Sequence, residues 1–114
     1  MDAESVAAIL QALATPSRLR ILDRLQDGPH SVGELTQALG MEQSAVSHQL
    51  RHLKDLDFVI AERQGRHIFY RLFDDHVAKL IEQAISHAEH LRLSRGDAET
   101  STAPALPQAT AAGP

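Results

Sequence analysis

The residues best suited to chemistry cluster in "DDHVAKLIEQAISHAEH", residues 74–90, which holds Asp74, His76, His87 and His90. Imidazole and carboxylate together are ligands for zinc, nickel or cobalt and disfavour copper(I). Wound as a helix, His87 and His90 are neighbours three residues apart, while Asp74 and His76 straddle the helix start, where they can converge. His76 and His87 share a face, but at about 1.5 Å per residue their eleven-residue spacing puts them about 16 Å apart along the axis. No single ion spans that gap, so each chain carries two half-sites. Between them runs an apolar stripe of Val77, Leu80, Ile81, Ala84, Ile85, Ala88 and Leu91 that needs a partner. Two copies packed antiparallel along it would set Asp74 and His76 of one chain beside His87 and His90 of the other.

A second group of polar side chains lies earlier, in "SAVSHQLRHLKDL" from Ser44. At about 100° per residue, Val46, Leu50 and Leu53 fall on one face and Ser44, Ser47, His48 and Arg51 on the other. The outward set consists of side chains that hydrogen-bond phosphates and base edges. Downstream, "FVIAERQGRHIFYRLF" holds two β-prone runs around "RQGR", and Gly65 makes this a hairpin with Arg63 and Arg66 at its tip. From Gln43 to Arg71 five basic residues (Arg51, Lys54, Arg63, Arg66, Arg71) face three acidic ones, with His48, His52 and His67 among them. The stretch is locally basic although the chain carries −4 overall.

The elements that must position these groups are marked by their ends. Val6, Ile9, Leu10 and Leu13 recur at helical spacing and predict an ordinary packing helix over residues 4–13. In "TPSRLRILDRL" Thr15 is placed to cap and Pro16 to take the first helical position, before "QDGPH" ends the helix. In "SVGELTQALG" Ser31 and Glu34 form a capping box and Gly40 stops the helix. Two short helices joined by a tight turn and followed by a hairpin give the order of a winged helix-turn-helix, whose second helix enters the major groove of DNA and whose wing reaches the backbone.

Composition narrows the remaining classes. A chain of 114 residues with 43% hydrophobic content supports one small domain, and an interface between copies would supplement its core. The absence of cysteine excludes disulfides, thiolate ligands and thiol nucleophiles. No apolar run approaches the roughly 20 residues that cross a bilayer, and "MDAESVAAIL" is acidic where a signal peptide is basic, so the expectation is a cytoplasmic protein without a membrane partner. Residues 1–94 are expected to form the DNA-binding and dimerisation domain. Residues 95–114, "RGDAETSTAPALPQATAAGP", have too little apolar surface to repay ordering and read as a disordered tail.

The segments "ALATPSRLRIL" and "SVGELTQALGMEQSAVSHQLRHLKDLDFVIAERQGRHIFYRL", with the closing histidine helix, resemble the ArsR/SmtB family of metal-responsive bacterial repressors over residues 5–93. The resemblance implies a mainly α fold with a small β-hairpin, a winged helix-turn-helix homodimer paired through its first and last helices. It implies binding of double-stranded operator DNA by the apo form and release by metal, at a shared site formed by ligands matching Asp74, His76, His87 and His90. The similarity is greatest to the nickel/cobalt-sensing branch, with Asp-x-His at the start of the final helix and His-x-x-His near its end. Nickel or cobalt is therefore the expected ion, with zinc as the alternative, and none is needed for folding. The chain departs from that branch in having Arg92 where a further histidine can stand, and no histidine in "MDAES". The family's cysteine-based site is excluded because "ELTQALG" has no thiol.

An enzyme is not expected, since no nucleophile or pocket accompanies the histidines. The competing expectation is a DNA-binding regulator whose metal signal comes from a partner protein, with activation open to it as well as repression.

Overall fold

The computed structural model describes residues 1–95. Its elements are α1 (Ala3–Ala12), α2 (Pro16–Leu25), β1 (His30–Ser31), α3 (Val32–Leu39), α4 (Gln43–Asp55), β2 (Val59–Gln64), β3 (His67–Leu72) and α5 (Asp75–Ser94). Two compact units divide within α5, one ending at Glu82 and the other beginning at Gln83. In the first, Ile21, Leu22 and Leu25 of α2, Leu35 of α3, Val46, Leu50 and Leu53 of α4, Phe58, Val59, and Val77 and Ile81 of α5 form one buried cluster. Leu50 has no exposed surface, and truncating so buried a leucine to alanine costs about 2–5 kcal/mol. In the second unit, the described residues continue α5 and are exposed except for the half-buried Leu91.

The ends follow local chemistry. Ser31 Oγ accepts from the Glu34 amide at 3.1 Å and Glu34 Oε1 accepts from the Ser31 amide at 2.9 Å, the expected capping box. Gly40 closes α3 at φ +65°, its amide bonding the Thr36 carbonyl at 3.0 Å, a left-handed conformation that glycine adopts without a Cβ clash. Thr15 and Pro16 stand where expected at the start of α2, but Thr15 makes no capping bond. Its Oγ1 instead accepts from Arg18 Nε at 3.2 Å and Nη2 at 2.5 Å. α1 is capped by Asp2, whose carboxylate accepts from Ser5 Oγ at 2.6 Å and the Ser5 amide at 3.4 Å; these bonds hold the carboxyl below its ordinary range.

Two expectations need correction. The wing is not a lone hairpin, because β1 pairs antiparallel with β3 (His30↔Tyr70, Ser31↔Phe69) and makes a three-stranded sheet ordered β1-β3-β2. Nor does α1 pack its whole apolar face: Ala12 and Leu13 are buried, but Val6, Ile9 and Leu10 are 40, 46 and 53% exposed. The stripe of α5 divides in the same way, with Val77 and Ile81 buried and Ala84, Ile85 and Ala88 exposed. Of the expected tail, only Arg95 is described, its amide bonding the Leu91 carbonyl at 3.1 Å; residues 96–114 lie outside the described residues. Among the described residues no helix is long and apolar enough to cross a membrane.

Candidate functional site

Helix α4 follows α3 after a three-residue turn, Gly40–Glu42, and begins at Gln43, one residue before the expected start. Val46, Leu50 and Leu53 anchor it, each with no exposed surface. This fixes which side faces out. Ser44, His48 and Arg51, spaced four and three residues apart, are exposed as expected. Ser47 is half-buried, because at about 100° per residue it stands only about 60° from Leu50 around the helix. Gln43 and His52 are also exposed, and neither was singled out from the sequence, although His52 lies one turn from His48 on the polar side.

The wing presents Arg63 and Arg66 as expected. Strands β2 and β3 pair from Val59↔Leu72 to Gln64↔His67, leaving Gly65 and Arg66 as a two-residue loop. Gly65 takes φ +65° at its first position, which tight hairpin turns require. Both arginines are exposed, and Arg63 Nη1 donates to the Gly65 carbonyl at 3.5 Å. Arg71, counted in the basic stretch, is instead paired with Glu62 across the strands at 3.1 Å. The available positive charge of the wing is thus at its tip.

At the start of α5, Asp74 uses its two carboxylate oxygens differently. Oδ1 accepts from the Val77 amide at 3.1 Å, which caps the helix, and Oδ2 lies 3.6 Å from His76 Nδ1. The His76 side chain is 96% exposed, so its ion pair with Asp74 adds little to stability. His87 and His90 are exposed on the distal part of α5, and His90 Nε2 lies 3.5 Å from Ser94 Oγ. The donor types fit a borderline divalent cation. The number at either end does not complete a tight all-protein site, since such ions take four or more donors and each end offers two. Among the described residues no group of three or more histidine, aspartate or glutamate side chains is placed to hold a metal.

Comparison with known proteins bears on the whole arrangement. Residues 15–61 match the bacterial regulatory protein, arsR family. The HTH-type transcriptional regulator NmtR of Mycobacterium tuberculosis is 58% identical over 95 residues, covering 83% of this chain and 79% of the relative. The chain belongs to the ArsR family. The HTH-type transcriptional repressor SmtB of Mycobacterium tuberculosis is 39% identical over 85 residues, 75% of this chain and 63% of the relative. Among solved structures, the solution structure of apo-NmtR is similar with a TM-score of 0.71 at 51% identity, covering 93% of this chain and 83% of that one. A homodimeric winged helix-turn-helix DNA-binding domain from Mycobacterium bovis matches with a TM-score of 0.71 at 34% identity, covering 76% of this chain and 81% of that one. As a member of the ArsR family, the chain is a winged-helix DNA-binding transcriptional regulator and not an enzyme.

Proposed function

We propose that the protein is a homodimeric repressor that leaves its operator when nickel or cobalt, or alternatively zinc, binds between protomers. The observation that carries this is the pair of exposed two-donor ends on α5, neither of which is a complete site within one chain. The uncovered apolar side chains Val6, Ile9 and Leu10 of α1 and Ile85 of α5 support pairing of two copies. Asp74 and His76 of one protomer, with His87 and His90 of the partner subunit, would hold the ion. A divalent cation held by these four side chains would supply a link between the two α5 helices.

Ser44, His48 and Arg51, with Ser47 at the edge of the core, would face the major groove. Arg63 and Arg66 would neutralise flanking phosphates. A dimer reads two half-sites only if its two α4 helices match successive major grooves, about 34 Å apart. Fixing the α5 pair at a new angle shifts that spacing, so metal and operator oppose each other through one coupling free energy.

The test mixes two variants, His76→Ala and His87→Ala. In a heterodimer one shared site is intact and the other has lost its His76 and His87, so each heterodimer should recover one of the two wild-type tight sites, about a quarter of the wild-type total after random mixing. Verified heterodimers with no restored tight site would reject the shared arrangement. Tight metal binding that leaves operator affinity unchanged would instead favour a signal supplied by a partner protein.

A further inference from the structure

We propose that His48 and His52 form a second metal-ligating pair, on the DNA-facing side of α4, and that a divalent cation held there blocks operator binding directly. Residues four apart on a helix are neighbours on one face, about 6 Å apart along the axis, and two imidazoles so placed can grip one ion. In this chain His48 and His52 on α4 stand at that spacing, and His87 and His90 on α5, three apart, are neighbours on one face in the related way. Both α4 histidines are exposed, and among the described residues neither side chain has a hydrogen bond or ion pair to give up. The buried Val46, Leu50 and Leu53 hold the helix rigid beneath them.

Two protein nitrogens leave the remaining positions of the ion to water. That is the pattern of an exposed imidazole pair, which follows the order Cu2+ > Ni2+ > Co2+ and takes Zn2+ as well. Arg51 and Lys54 neighbour the pair and repel a cation, while Asp55, one turn beyond His52, partly offsets them. The α4 pair is therefore the weaker of the two kinds of site and responds at higher metal concentration. Its effect on DNA rests on the assignment of α4 as the reading helix. His48 belongs to the face shared with Ser44 and Arg51, so a hydrated ion on that imidazole occupies space the groove needs and removes a side chain from contact. The blockade is steric and needs no change in the dimer.

The experiment titrates Ni2+ into the full chain carrying His76→Ala, His87→Ala and His90→Ala, and into the same protein with His52→Gln added. The triple variant should keep one Ni2+ per chain, and His52→Gln should weaken that binding at least about tenfold, as expected when one of two joined ligands is lost. Melting curves in chelator should be unchanged by His52→Gln, because the side chain is exposed. Ni2+ should also weaken operator binding by the triple variant, and this effect should disappear with His52→Gln. A triple variant that binds no Ni2+, or binds it equally well without His52, overturns the site. Retained Ni2+ binding without any effect on operator affinity overturns the blockade. Wild type whose tight binding is indistinguishable from the triple variant's would sink the α5 assignment and leave this one standing.

Discussion

Asp74 is expected to do two separable things, and its two carboxylate oxygens allow them to be measured apart. Oδ1 caps α5 through the Val77 amide, and Oδ2 faces His76. Asp74→Ala removes both. Loss of a capping side chain costs about 1 kcal/mol, and for a domain of this size each kcal/mol moves Tm by about 4–8 °C. Asp74→Ser keeps an oxygen able to accept from the Val77 amide and loses, besides the weak exposed pairing with His76, the interaction of the carboxylate charge with the helix dipole, about 0.3 kcal/mol at an exposed site or about 1–2 °C. Neither variant retains the carboxylate, so both should bind Ni2+ at least about tenfold more weakly than wild type. The assay is thermal unfolding in chelator at one protomer concentration, because dimerisation makes Tm depend on concentration, followed by Ni2+ titration of the same samples. Equal stability loss in the two variants would remove the capping role. Wild-type Ni2+ affinity in Asp74→Ser would show that the carboxylate is not a ligand.

Arg51→Ala should weaken operator binding by about 1–3 kcal/mol if its guanidinium makes a bidentate base contact, and unchanged affinity would exclude Arg51 from recognition. Arg66→Ala should lower affinity for all DNA sequences and flatten the salt dependence by about one unit; a sequence-selective loss would mean that the wing reads bases. Truncation after Arg95 should leave folding and operator binding intact, judged by Tm and by DNA titration, and a loss of either would assign residues 96–114 a structural part.

Much of the fold was legible because its signals are local. The capping box of Ser31 and Glu34, the left-handed Gly40, the two faces of α4 and the Gly65 turn each depend on residues within a few positions of one another. β1 escaped notice because two residues carry no periodicity. His30 and Ser31 are strand only because Tyr70 and Phe69 arrive beside them. The open face of α1 escaped for a different reason: Val6, Ile9 and Leu10 show helical spacing whether they meet their own core or another chain. In the candidate site, the approach of Asp74 to His76 follows from Asp74 standing as the cap of α5, and the pairing of His87 with His90 rests on their three-residue spacing along the helix. Ser47 was harder, because its half-burial depends on how far the core wraps past Leu50. The relation of His48 to His52 was hidden in plain charge counting.

The pairing of β1 with β3 also bears on the order in which the chain assembles. Strands β2 and β3 meet across a two-residue loop, whereas His30 and Tyr70 are forty residues apart in sequence. Closing the longer loop costs more chain entropy, and only two residues of β1 repay it. The hairpin should therefore form early and the β1 seam late, making the seam a point of local opening in the native state. Amide protons bonded across β1 and β3 should exchange with solvent before those in the middle of β2 and β3. Each such opening would loosen the lead-in to α3 while leaving the hairpin itself zipped.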